Sequence, residues 1–198
     1  MLQVRLSWQV VISLTNSMKA QAAGRLERLR DAAAENGIRT FLVRDTASIE
    51  WLTAFDDVFD DEQAHALLVT PHDAVLHTDS RYSGAARKAA QGEGVIAVDD
   101  ARQGHGEWVA DVFARRHANA PAGSPAPESI VLGIEDSMTL AAFRALEGAL
   151  AKAPASPQLR ETSDFVRMLR AVKEPSEVAR MKAAQAITDA AFSYIVTY

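Results

Sequence analysis

Five short apolar runs alternate with longer stretches that repeat at helical spacing, and this alternation limits the chain to few architectures. The runs are Ile38 to Val43, His65 to Thr70, Ala74 to Asp79, Val95 to Val98 and Ile130 to Ile134. They are rich in β-branched and large apolar residues, which suits strands. Between them, Leu26, Leu29 and Ala33 recur on one face of a helix over Met18 to Asn36. Val109, Val112 and Phe113 do the same within a helix over Gly106 to His117. Leu140, Phe143, Leu146 and Leu150 mark a third helix, read from Ser137 as its cap to about Ala151. Gly37 stands where a left-handed residue closes the first helix. Pro71-His72-Asp73 is turn chemistry between two strands, so one antiparallel hairpin is expected. Strands alternating with helices, plus a hairpin, predict an α/β layer fold with a mixed sheet.

Composition narrows the function. The 198 residues are 48% hydrophobic and 24% charged, enough to bury a sizeable core. The net charge of −5 argues against nucleic acid or an anionic membrane as the main partner. The chain has no Cys, which removes disulfides, thiol catalysis and Cys-ligated zinc, and fits a cytoplasmic location. No apolar run approaches the ~20 residues of a spanning helix. Residues 1–17 carry Arg5 and no acid. Their apolar core, Val10 to Leu14, is too short for a targeting signal, and an alternative start upstream of Met18 is the preferred reading.

Several residues could carry chemistry, each with a plainer alternative. Trp51 and Phe55, four apart in Thr46 to Phe55, are either a small core under a loop or the aromatic wall of a pocket. Asp56 to Glu62 holds five acids in seven residues, at spacings of no calcium loop, and reads as a solvated loop. His65, His72, His77, Asp73 and Asp79 are metal-ligand types. His77 and Asp79 are expected on one side of a strand. No HExxH or comparable spacing supports a site, so a hairpin with ordinary histidines is the simpler reading. The glycines at 92, 94, 104 and 106 are too scattered for a phosphate loop.

Phe165 to Tyr198 closes the chain with a short amphipathic segment, capped by Thr162 or Ser163 and running through Val172. Lys-Glu-Pro-Ser-Glu then starts a long helix, with Pro175 in its first turn. From Ala190 that helix is apolar nearly all round, which predicts burial on both sides in the intact molecule.

The order of motifs resembles the N-terminal half of the Xaa-Pro peptidases: aminopeptidase P, prolidase and their relative creatinase. The carrying residues are Arg25-Leu26 to Arg30 with Gly37-Ile38, then Ser48-Ile49-Glu50-Trp51-Leu52-Thr53-Ala54-Phe55. Leu67 to Thr70 follows, with Thr78-Asp79-Ser80-Arg81-Tyr82, Leu132 to Glu135, and Leu169-Arg170-Ala171-Val172-Lys173 through Glu177-Val178. The chain departs from the pattern at Ser48 (Asn is usual), Trp51 (Tyr) and Ala54 (Gly). The resemblance implies a three-layer α/β/α domain of ribonuclease H-like topology over residues 18–160. Residues 161–198 would be the junction and first helix of a pita-bread catalytic domain, and residues 1–17 lie outside the match. It also implies a parent hydrolase in which two divalent metals (manganese, cobalt or zinc), held by two Asp, one His and two Glu beyond this chain, direct a hydroxide at the bond before proline. The chain itself would carry no catalytic or metal residue. Its role would be substrate gating and homodimer formation, with proline-containing peptides as the parent's substrates. Trp51, Phe55, Arg81 and Tyr82 are the candidates to face substrate. The alternatives are a stand-alone binding or scaffold protein, a creatinase-like C–N hydrolase parent, or a small metalloenzyme built on His65, His77 and Asp79.

Overall fold

The structure is a computed structural model that describes residues 20–197 apart from 57, 61, 92–93, 120, 122–128 and 155. The extension 1–17, Tyr198, Gly92-Glu93 and residues 120 and 122–128 therefore lie outside the described residues.

Helix α1 (residues 20–35) ends on Gly37, whose φ of +69° is the left-handed closure expected there. Strand β1 (Thr40–Val43) leads into α2 (Thr46–Thr53), and the predicted hairpin follows as β2 (Ala66–Val69) and β3 (Ala74–His77). Next come α3 (Ser80–Ala89), β4 (Ala97–Asp99), α4 (His105–Ala118), β5 (Val131–Glu135) and α5 (Leu140–Leu150). Strand β6 (Gln158–Thr162), α6 (Phe165–Ala171) and α7 (Pro175–Thr197) complete the chain.

The six strands form one mixed sheet in the order β4-β3-β2-β1-β5-β6. Strand β2 runs antiparallel to both neighbours, and every other pairing is parallel. Five strands therefore point the same way, and their carboxyl ends share one edge of the sheet.

Side-chain alternation explains the three layers. Phe41 and Val43 of β1, with Leu67 and Val69 of β2, face one side. They meet Leu26 and Leu29 of α1, Ile49 and Leu52 of α2, Ala86 of α3 and Val166 of α6. Leu42, Ala66, Leu68, Leu132 and Ile134 face the other side, against Trp108, Val109 and Phe113 of α4 and Leu146 and Leu150 of α5. Strands β1 and β2 are thus buried on both faces, as two helical layers require of the central strands, while the edge strands β4 and β6 are not.

Three expectations need correction. Strand β6 was not expected: Gln158-Leu159-Arg160 is part of an edge strand whose Leu159 pairs with Leu132. Thr162 ends that strand, donating its hydroxyl to the Ile134 carbonyl at 2.9 Å, and Asp164 rather than Thr162 or Ser163 precedes α6. Helix α5 is capped by Thr139, whose hydroxyl accepts from the Ala142 N–H at 3.2 Å, so Ser137 is not its cap. Gly106 belongs to no anion loop. A Cβ there would stand 2.8 Å from the Ala145 carbonyl oxygen, so it lets α4 cross α5 at backbone contact.

Candidate functional site

The carboxyl edge of the sheet gathers His65, His77, Asp79, Arg81 and Tyr82 from the residues singled out by sequence, together with acids that were not, while His72 and Asp73 lie in the β2–β3 turn at the opposite edge. Asp45 follows β1, Asp79 follows β3, Asp99 and Glu135 end β4 and β5, and His65 precedes β2. Strand termini hold their side chains at the layer boundary, where helix starts need acceptors. Asp45 accordingly caps α2 by accepting from the Ser48 N–H at 2.9 Å, and Asp79 caps α3 through the Arg81 N–H at 2.8 Å.

The candidate substrate-facing residues fall into two groups. Phe55 stacks near Phe59 at 6.3 Å, Phe59 tilts against His65 at 4.6 Å, and Tyr82 meets the edge of His65 at 4.7 Å. Arg81 lies over the Tyr82 ring at 5.1 Å. Phe55, Arg81 and Tyr82 thus end one continuous row. The acidic loop is tied to that row and not simply solvated. Glu62 pairs with Arg81 at 2.6 Å, Asp60 accepts from the Tyr82 hydroxyl, and Asp56 pairs with Arg180 at 3.0 Å. The Asp60 hydrogen bond pushes the Tyr82 phenol up to about 12. Hydrogen bonds that Arg81 donates to Asp79 and Glu62 raise Arg81, and the Arg81 bond holds Asp79 below the usual carboxylate range.

Trp51 belongs elsewhere. It is buried and donates its indole N–H to Glu177 Oε1 at 3.1 Å. The guanidinium groups of Arg25 and Arg28 lie 5.0 and 5.4 Å from its ring centroid. Arg25 is 3% exposed. It forks onto both Glu174 oxygens at 3.1 and 3.0 Å, and it donates to the Trp51 carbonyl at 2.8 Å. Arg28 adds the Leu169 carbonyl at 2.9 Å, and Gln21 reaches the Ser176 hydroxyl at 2.9 Å. Glu177 also accepts the Glu174 N–H at 2.8 Å, closing the start of α7. This clasp ties α1 and α2 to the base of α7. Beyond it, α7 contributes no buried residue.

The histidines are engaged as structure. His65 Nδ1 lies 2.8 Å from the Thr78 hydroxyl, while its fully buried Nε2 has no partner among the described residues. His77 Nε2 lies 3.0 Å from the Ala101 carbonyl, and its Nδ1 lies 2.7 Å from His105 Nδ1. Asp79 lies beyond the end of β3, so it does not share a strand face with His77 as the sequence suggested. Among the described residues no group of three or more His, Asp or Glu could hold a metal ion. These residues therefore do not fit a resident metal.

Sequence reading missed Glu135 as a site residue, because an acid just before a helix looks like an ordinary first-turn acid. It ends a buried strand instead. Burial, with Asp45 beside it, pushes its carboxyl up to about 7. An acid closing an otherwise apolar strand, Val131 to Glu135, was the available signal.

Comparison with known proteins adds three findings. The model of the creatinase/prolidase N-terminal domain matches residues 25–172. Among solved structures, an Xaa-Pro dipeptidase from Bacillus anthracis is 29% identical with a TM-score of 0.65, covering 89% of this chain and 43% of its own. An X-Pro aminopeptidase from Thermotoga maritima MSB8 is 22% identical (TM-score 0.61), covering 85% of this chain and 42% of its own. An Xaa-Pro aminopeptidase from Streptococcus pyogenes is 23% identical (TM-score 0.58), covering 76% and 98%. These last two likenesses are of fold alone. The chain spans less than half the length of the Bacillus anthracis and Thermotoga maritima chains it matches. No curated protein matches it.

Proposed function

Because this chain belongs to the creatinase/prolidase N-terminal domain family, we propose that it serves as the non-catalytic domain of an Xaa-Pro peptidase-like metallohydrolase. Its work there is to gate the substrate cleft and to help form a homodimer. The observation that carries this reading is the clasp. Arg25, Arg28 and Trp51 fix the base of α7 on the domain, while the rest of that helix stands exposed. A helix anchored so firmly at one end and bare beyond it is suited to carry a second domain at a set angle. Arg81 and Tyr82, at the carboxyl edge, are the side chains proposed to face substrate, with Phe55 in the same row, while Trp51 acts through the clasp. On this reading any divalent metal pair is held by residues outside this chain, and no reaction step runs through the residues here.

The test is direct. The purified chain, incubated with an Xaa-Pro dipeptide with and without manganese, is expected to release no proline. Metal-dependent turnover that persists through repurification would overturn the reading.

A further inference from the structure

The sheet contains one place where the chain parts in two directions. Strands β1 and β5 are adjacent and parallel. The chain leaves β1 into α2 on the first face and leaves β5 into α5 on the second. Connections departing to opposite faces open a crevice between the carboxyl ends of the two strands, and open α/β sheets hold ligands in crevices of that kind. Here it is a cleft of ≈ 480 Å³, the size of a small-molecule site.

The cleft walls differ in sign. The ends of β1 and β5 supply Asp45, Glu135 and Asp136, while α6 and the residues just after it supply Arg167, Arg170 and Lys173, with Asp164 paired to Arg167 on that wall. Asp45 is taken up by the fold. It accepts from the Ser48 N–H at 2.9 Å and the Ser48 hydroxyl at 2.6 Å, and Arg170 Nη1 lies 3.3 Å away. Glu135 is not so satisfied. It is 6% exposed, one oxygen takes the Val166 N–H, and Oε2 has no partner among the described residues. A buried carboxylate oxygen without a donor is unfavourable unless something supplies one. Opposite, among the described residues, Arg170 uses Nη1 toward Asp45 and Ser48, and Arg167 uses Nη1 toward Asp164 at 3.1 Å. Each guanidinium keeps further N–H donors.

These walls select the ligand. A bare anion would meet Glu135 and Asp136, and a bare cation would meet three basic side chains. A metal ion lacks a ligand cluster among the described residues. A molecule carrying both charges avoids each repulsion. We propose that this cleft binds a small zwitterion, a free α-amino acid or a short peptide, with its ammonium on Glu135 Oε2 and its carboxylate among Arg167, Arg170 and Lys173. The assignment stands on the cleft alone and is independent of the peptidase reading. The groups facing Glu135 are Asp45 from the β1–α2 side, Asp136 from its own strand end, and Arg170 from α6. Because the carboxyl is pushed up to about 7, an arriving ammonium displaces a proton, and binding strengthens from about pH 6 to about pH 7.5.

The experiment titrates the 198-residue chain, labelled with nitrogen-15, with L-alanine, L-alanyl-L-alanine, its N-acetyl form and its amide. Saturable shifts are expected at the amides of Ser48, Asp136 and Arg170. N-acetylation and amidation are each expected to weaken binding at least about tenfold. Binding of alanine alone assigns the site to free amino acids, and binding of the dipeptide alone assigns it to peptides. Glu135→Gln is expected to lose about tenfold in affinity. As Glu135 also holds α6, the exposed Asp136→Asn is the second variant, expected to lose about threefold with unchanged melting. No saturable shift with any probe, or an N-acetyl dipeptide binding as well as the free one, overturns the proposal.

Discussion

His105 lies within hydrogen-bond reach of His77. The Ala101 carbonyl can only accept, so His77 Nε2 donates to it. His77 Nδ1 and His105 Nδ1 share one proton across a 2.7 Å contact. His77 stacks on Trp108 at 4.7 Å, and Trp108 donates to Asp99 at 3.0 Å. Burial, reinforced by Arg44 and His77, lowers His105 to about 3. The unfolded chain takes up this proton near pH 6.5, and the folded chain does not until about pH 3. The contribution of His105 to stability is therefore whole above pH 6.5 and is lost progressively as pH falls towards 3. Glu135 acts with the opposite sign. Its folded-state carboxyl is raised to about 7, so its contribution is whole below its ordinary value near 4.5 and is lost as pH rises through 7. The two are separated by His105→Asn, which keeps a donor near Nδ1 and cannot titrate. Melting temperature followed from pH 7 to pH 4 should fall less steeply in His105→Asn than in the parent. Equal slopes would show that the His77–His105 pair does not set the acid response.

At the scale of elements, the clasp makes the sharpest energetic claim. Removing Glu174 leaves a buried guanidinium with Glu177 at 3.6 Å and the Trp51 carbonyl as its remaining partners. Breaking a wholly buried pair costs roughly 3–5 kcal/mol, and the partial exposure of Glu174 reduces this to about 2 kcal/mol for Glu174→Ala. Urea unfolding measures the loss. Hydrogen exchange should show the first turns of α7 losing protection while β1 and β5 keep theirs. A loss within about 0.5 kcal/mol, the ordinary range for a surface substitution, would mean the helix base is held by something else. The elements themselves were legible to differing degrees. Strands β1 and β2 are apolar throughout because both faces are covered, and such runs stand out in sequence. Strand β6 pairs on one side only and exposes Gln158, Arg160 and Glu161. A strand with so little to bury has no alternation to read. The shortening of β3 at His77 follows from Asp79, whose carboxylate serves α3 better than it serves a strand. The departure at Ala54 also has a physical meaning. That residue closes α2 at a φ of +53°, the left-handed conformation that explains the usual Gly.

For the whole molecule, sequence named residues that the carboxyl edge of the sheet brings together but not the partnerships along it. Trp51 and Phe55 share a helical spacing, yet one meets Arg25, 26 residues before it, and Glu177, 126 residues after it, and the other meets Phe59. Glu135 acquires its burial only when α6 closes over β5. Such long-range burial leaves no local pattern. The far end of α7 follows another rule, since its apolar composition calls for burial that the described residues do not supply. Phe192, Ile195 and Val196 are 66, 71 and 68% exposed, and Tyr194 is 67% exposed. No helix among the described residues is long and apolar enough to cross a membrane. A cluster of large apolar side chains on one helix end is therefore left to meet protein. Two copies can cover it by packing these ends together, gaining roughly 25 cal/mol for each Å² of apolar surface removed from water. The chain should accordingly associate as its concentration rises, with a mean mass by light scattering that climbs above that of the 21.4 kDa monomer. Phe192→Glu together with Ile195→Glu should return it to the monomer without altering its melting temperature, because neither side chain contributes to the core. If the double variant associates as strongly as the parent, the contact lies on another face. If the parent stays monomeric at millimolar concentration, α7 does not drive association at all.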